Sequence, residues 1–210
     1  MKAKNVNSVI SKKFNEFLES IEDVSVKEEV KNNSIITGGC IASLLLNEQV
    51  NDFDIYFTNK KTVLAVANYY VSLFNKNNPS EGTQLHNDGY VLDGANLEEI
   101  KKNGNQFGGV EMISNMTSDR VKICFHSRGH AVEDNINIED EENSIDYVVN
   151  NYSKEDKKDK KDKKPYRPIF MSSNAITLAN DIQLCIRFYG NAEKIHENFD
   201  YVHCTNYWTS

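Results

Sequence analysis

Several things are scarce in this chain, and each scarcity excludes something. Its four cysteines, Cys40, Cys124, Cys185 and Cys204, are scattered through 210 residues in apolar contexts. They offer neither a disulfide framework nor a C-x-x-C pair, which points to reduced core cysteines in an intracellular protein. Only three prolines are present, so no rigid proline-rich linker divides the chain. No run approaches the roughly 18 apolar residues of a membrane span, and the N-terminus has no secretory apolar segment. A soluble cytoplasmic protein with no membrane partner is expected. Basic charge is in deficit as well: 24 Lys and Arg stand against 31 Asp and Glu, giving a net charge of −7 and a pI near 5.3. That balance excludes a general nucleic-acid-coating protein but leaves room for a local basic groove. The length suits one domain spanning 1–210 with a sizeable core.

Periodicity supplies the elements. Ile10, Phe14, Phe17, Leu18 and Ile21 recur at helical spacing and predict an amphipathic helix over 8–22. Ser34–Thr37 reads as a short strand. Lys60–Asn75 carries Val63, Leu64, Val66, Ala67, Tyr70, Val71 and Phe74 on a second helix, and 75–82 breaks it. Residues 83–109 give no clear period beyond a helical turn at Leu97–Ile100. Val110–Ser114 and Arg120–His126 read as two strands about a polar turn. Residues 133–164 pass from acid around Glu139–Glu142 to the lysine-rich run Lys154–Lys164. Without apolar residues that run reads as a disordered or extended insertion, its interleaved aspartates weakening a reading as a nucleic-acid tether. Ordered structure resumes at Tyr166–Phe170 and Ser173–Leu178, and strands follow at Ile182–Tyr189 and Phe199–Tyr207, with a helix at Asn191–Glu197. The expected fold is α/β (α+β), a mixed β-sheet flanked by helices.

The most informative stretch is Ile35–Phe57, IITGGCIASLLLNEQVNDFDIYF. Gly38-Gly39 lead into an apolar helix whose free N–H groups and dipole favour phosphate. A strand then carries Asp52 and Asp54, expected to share one face with Tyr56 while Phe53, Ile55 and Phe57 enter the core. Two adjacent carboxylates repel unless they share a proton or a hard divalent cation. The bland alternative is a surface hairpin rich in Asp and Asn, which the poor strand propensity of aspartate disfavours.

A hydrophobic strand, Gly-Gly, a helix and an apolar-flanked Asp-x-Asp resemble the nucleotidyltransferase superfamily of the DNA polymerase beta type. Gly38, Gly39, Asp52 and Asp54 match its signature in order. The block SSNAITLANDIQLCIRFYGNAEKIHENFDYVHCTNYW is similar to nucleotidyltransferase-like proteins of large DNA viruses and bacteriophages. The resemblance covers 35–57 and about 166–207. It implies Mg2+ or Mn2+ on Asp52, Asp54 and a third carboxylate, with Asp200 as the candidate and Asp119 as its competitor. It further implies a nucleoside triphosphate on Gly38 and Gly39, with Ser43 and Arg187 as further contacts. For these two, a packing serine and a structural ion-pair arginine are the competing readings. The reaction would move a nucleotide to an RNA, protein or small-molecule acceptor, with catalysis resting on positioning and charge neutralisation. The alternative is a catalytically inactive module of the same shape with a binding or structural role, in which a partner chain completes the cleft. Cys124, His126 and His130, or His203 and Cys204, carry zinc-capable groups without zinc spacing. His86 and His196 read as surface residues, and Cys40 as a small buried one.

Overall fold

The structure is a computed structural model, and it describes residues 1–77, 89–102, 116–125 and 165–210. The Val110–Ser114 strand, the 133–164 insertion, His86, His126 and His130 lie outside the described residues.

The first helix, α1, runs over Ala3–Ser20 and buries Val6, Ile10, Phe14, Phe17 and Leu18 along one stripe. A separate helix that periodicity did not announce, α2 (Val24–Asn32), follows at once. Asp23 caps it by accepting a hydrogen bond from the Val26 amide at 3.0 Å, and Val26 and Val30 face inward. After β1 (Ser34–Thr37), the short apolar α3 spans Gly39–Leu46 and stops at Asn47, whose left-handed φ of 64° closes the helix. Then come β2 (Phe53–Phe57) and the long α4 (Lys60–Asn77). Next are β3 (Gly89–Asp93), a 3-10 turn at Gly94–Asn96, α5 (Leu97–Lys102) and β4 (Val121–Phe125). The remainder is β5 (Pro168–Met171), β6 (Ala175–Leu178), β7 (Ile182–Tyr189), α6 (Ala192–His196), a 3-10 turn at Val202–Cys204 and β8 (Tyr207–Thr209).

Among the described residues, six strands form one mixed sheet in the order β5-β6-β7-β2-β1-β8, in which β2 and β7 run parallel and the other neighbours antiparallel. β3 and β4 pair in a separate two-stranded sheet. A mixed α+β architecture with helices flanking a mixed sheet is therefore what the chain adopts.

The sheet's two faces differ in chemistry. Ile36, Phe53, Ile55, Phe57, Ile176, Leu178, Ile182, Leu184 and Ile186 join the stripes of α1, α2 and α4 in one continuous apolar core. The alternate residues face the other way. Cross-strand register sets Tyr207 beside Thr37, Thr37 beside Asp54, Asp54 beside Gln183 and Gln183 beside Thr177. A polar row thus crosses five strands on the face opposite the core. Part of that face is closed by α6, where Ala192 and Ile195 pack with Ile35, Tyr56 and Phe199.

Two expectations are corrected. Phe199–Tyr207 is not a strand, because its backbone donors close local turns: Phe199 to His196 O at 3.0 Å and Cys204 to Tyr201 O at 3.1 Å. Only Tyr207–Thr209 reaches the sheet. Asp52 precedes β2 instead of lying within it. Strand pairing begins at Phe53, whose N–H donates to Asp181 O at 2.9 Å, and Asp52 is left exposed.

Candidate functional site: a glycine turn against two aspartates

Gly38 joins β1 to α3 with φ +92°, a conformation that L side chains rarely adopt. A Cβ at this position would stand 2.7 Å from Asp54 Oδ2, so the glycine is what lets that carboxylate approach the turn. The Gly38 N–H donates to Cys204 O at 3.2 Å, which locks the turn to the C-terminal segment and commits that amide to the protein. Gly39 differs. It opens α3, is exposed, and a Cβ added there would meet nothing within 4 Å. Space for an incoming group therefore lies over Gly39 and the first-turn amides of α3, which have no intrahelical partner. Ser43, half-buried, is four residues on and shares that face of the helix.

Burial raises the Asp54 carboxyl above the usual carboxylate range, to about 8, and the charge of Asp52 adds to the rise. The effect spreads through the neighbourhood. The buried Cys40 thiol is pushed up to about 12, by burial first and then by Asp54 and Asp52, and it donates to Thr37 O at 3.5 Å. Such a thiol is a packing group and no nucleophile at neutral pH. Tyr56 and Cys185 are raised by burial, with Asp54 among the further causes. The surroundings of Asp54 are thus crowded with groups that disfavour negative charge, a strain relieved by a proton or a cation.

His196, which sequence reading placed on the surface, belongs to this neighbourhood. Its Nε2 lies 2.8 Å from Thr37 Oγ1, and Thr37 is the cross-strand neighbour of Asp54. The Thr37 hydroxyl also reaches Asn206 O at 2.9 Å and Cys204 O at 3.2 Å. A hydroxyl has one proton, which goes to a carbonyl, so His196 Nε2 must be the donor to Thr37. Its ring is held between Phe199 and Tyr207, with centroids at 5.1 and 6.0 Å. No local motif signals this pairing across 159 residues. Gln183 was also overlooked; it is the residue beside Asp54 on β7.

The remaining candidates fall elsewhere. Asp200 is exposed, in the segment between α6 and the Val202–Cys204 turn. Asp119 sits in a turn before β4 and accepts from Thr117 Oγ1 at 2.6 Å. Arg187 lies at the far end of β7, stacked over Phe188 with its guanidinium carbon 4.9 Å from the ring centre. Cys124 is fully buried against Leu92 and Met116. Among the described residues, no three His, Cys, Asp or Glu side chains converge to hold a metal ion. The donors that do lie near the turn are hard oxygens, the Asp52 and Asp54 carboxylates with the Gln183 amide alongside, and this set suits magnesium or manganese.

Residues 8–210 match the Gabija anti-defense 2 (Gad2) family. The chain belongs to that family. The match corrects the expected membership of the polymerase-beta-type nucleotidyltransferase superfamily. That resemblance rested on two separate stretches and four signature residues, whereas the Gad2 match runs through nearly the whole chain. No curated protein and no solved structure matches it. Among the described residues, no helix is long and apolar enough to cross a membrane.

Proposed function

We propose that this Gad2-family chain is a phage protein that counters the Gabija defence by divalent-metal-dependent transfer of a nucleotide from a nucleoside triphosphate to an acceptor. The observation that carries the reading is Asp54 packed against Gly38, with Asp52 adjacent and open space over Gly39. The first turn of α3 would receive phosphate oxygens, and Asp52 and Asp54 would hold the metal. When bound, the metal would neutralise charge on the phosphates and lower the pKa of an acceptor hydroxyl. The chain's own work is positioning: Gly38 keeps the carboxylate close, and the Thr37–His196 pair fixes the neighbouring strand against the C-terminal segment. The acceptor is an RNA, a protein hydroxyl or a small molecule.

A second reading has its own support. Gln183, a neutral amide, is the residue beside Asp54 on β7. A neutral group at that position suits a module that binds its target without chemistry, its cleft completed by a partner chain.

One pair of experiments separates the two. The purified protein is incubated with α-labelled nucleoside triphosphates, Mg2+ or Mn2+ and lysate from cells carrying Gabija, and label transfer is followed. In parallel, the wild type, Asp52→Asn and Asp54→Asn are expressed in Gabija-protected bacteria challenged with phage. Loss of both label transfer and plaque formation in the variants supports catalysis. Full plaque formation with Asp54→Asn refutes it and leaves the binding module.

A further inference from the structure

A polar cavity lies away from the aspartate pair. It encloses about 210 Å³ and is lined by Thr117, Asp119, Arg120, Arg187, Lys194 and Asn198, with Phe188 and Tyr189 as its aromatic wall. Gly38, Gly39, Asp52 and Asp54 are not in its lining. Arg187 is four residues beyond Gln183 on β7, which places it on the order of 10 Å from the aspartate row.

Three cations meet one carboxylate in this cavity. Asp119 accepts from the Thr117 hydroxyl at 2.6 Å, and that bond, with the charges of Lys194 and Lys60 as lesser causes, holds its carboxyl below the usual range. Among the described residues, none of Arg120, Arg187 and Lys194 forms a salt bridge. Arg187 stacks on Phe188, and Lys194 Nζ sits 5.5 Å from the centre of the Tyr189 ring. Arg120 spends one terminal nitrogen on Asn174 Oδ1 at 3.0 Å, which holds its guanidinium in the cavity wall.

The walls are held in place. The 117–120 turn is pinned by Tyr189 Oη donating to Asp119 O at 2.7 Å, by Lys60 Nζ donating to Ser118 O at 2.8 Å and by the Gly94 amide donating to Arg120 O at 2.8 Å. At β7 the ladder is bulged. Ile55 and Phe57 pair with Leu184 and Tyr189, and the amides of Ile186 and Arg187 both donate to Asn174 O. The bulge re-aims the end of the strand that carries Arg187, as such irregularities do beside binding sites.

We infer that this cavity is an anion site for a compact phosphate group, pyrophosphate or the terminal phosphates of a nucleotide, held by Arg120, Arg187 and Lys194. Guanidinium forks match phosphate oxygens in geometry as well as in charge. The excess of positive charge is local, set within a chain of net charge −7. The cavity is smaller than the pockets that enclose whole drug-sized ligands, which favours a phosphate group over a base.

Calorimetric titration of inorganic pyrophosphate into the metal-free full chain tests this. Arg187→Gln and Lys194→Gln should each weaken binding by about tenfold with melting temperatures near wild type. Lys4→Gln, which removes the same charge from the exposed face of α1, should bind like wild type. Asp54→Asn should also retain binding, so failure here is distinct from failure of the proposed transfer reaction. A nucleoside triphosphate that competes with pyrophosphate identifies a nucleotide as a source of the phosphate; a lack of competition restricts the site to the inorganic anion. Absence of pyrophosphate binding to the wild type, equal binding by Arg187→Gln, or loss in Asp54→Asn would each overturn the assignment. A short oligonucleotide that binds where pyrophosphate does not would overturn it in favour of a nucleic-acid surface.

Discussion

Replacing Asp54 by asparagine should make the metal-free protein more stable at neutral pH, and the size of the gain follows from the site. The Asp54 carboxyl is raised from 3.8 to about 8 in the fold, by burial first and by Asp52 second. Below pH 4 both folded and unfolded chains hold the proton, and the carboxyl contributes no pH dependence. Between pH 4 and pH 8 the unfolded chain has released it and the folded chain has not, so stability falls as pH rises, by about 1.4 kcal/mol per unit. By pH 7 the cumulative loss is about 4 kcal/mol for a rigid site. Asparagine carries no charge and escapes the loss, but leaving its amide imperfectly paired costs about 1–3 kcal/mol. A net gain of about 2 kcal/mol at pH 7 corresponds to roughly 4–8 °C in a domain of this size. The assay is thermal and urea unfolding of wild type and Asp54→Asn in chelator, from pH 5 to pH 8. The difference between the two should widen steadily with pH in favour of the variant. Added magnesium or manganese at pH 8 should raise the wild type and leave the variant unchanged. Parallel pH profiles, or a variant less stable at pH 8, would refute the picture of a poorly solvated Asp54 carboxyl raised further by the charge of the exposed Asp52.

Other perturbations follow from the same geometry. Gly38→Ala combines a φ of +92° with a Cβ 2.7 Å from Asp54 Oδ2; it should cost about 1–3 kcal/mol in unfolding experiments and abolish metal-dependent nucleotide binding. Thr37→Val keeps the volume but strips a buried hydroxyl from His196, Asn206 and Cys204. A loss of about 1–3 kcal/mol is expected, together with faster hydrogen exchange at the Gly38 amide; unchanged exchange would count against a structural role for the pair. Asp23→Ala should cost about 1 kcal/mol through the lost cap of α2, measured by the shift in urea midpoint.

How much of this was legible depended on whether the signal was local. The α1 stripe from Ile10 to Leu18 and the apolar alternation of Phe53, Ile55 and Phe57 are periodicities, and they placed those elements and the core side of the sheet. The end of β1, the glycine turn and α3 were readable because Gly38-Gly39 and seven small or apolar residues leave few other conformations. Helix α2 was missed although Asp23, Val26 and Val30 spell a cap and an inward face, because Lys27, Glu28, Glu29 and Lys31 leave only two inward apolar residues to mark a period. Phe199–Tyr207 misled in the opposite sense: aromatic and β-branched residues suggested a strand, but Phe199 is used to cover Tyr56, with ring centres 5.8 Å apart. The site divides in the same way. Asp54 beside the glycine turn is a short-range fact. The approach of His196 to Thr37, the placement of Gln183 beside Asp54 and the grouping of Arg120 with Arg187 and Lys194 depend on sheet order, which no single segment encodes.

The order of the sheet also carries a kinetic consequence. The glycine turn is tied off by Cys204, Asn206 and His196, and β1 gains its second neighbour only when Tyr207–Thr209 arrives. Pairs separated by about 160 residues are entropically slow to close, and they fall late in any folding sequence that begins with local contacts. Helices α1 and α2 and the β1–β2 pair can therefore assemble while the turn beside Asp54 is still unlatched. A nascent or partly folded chain would hold most of its apolar core before the glycine turn was latched, so the geometry beside Asp54 arrives as the last step of maturation.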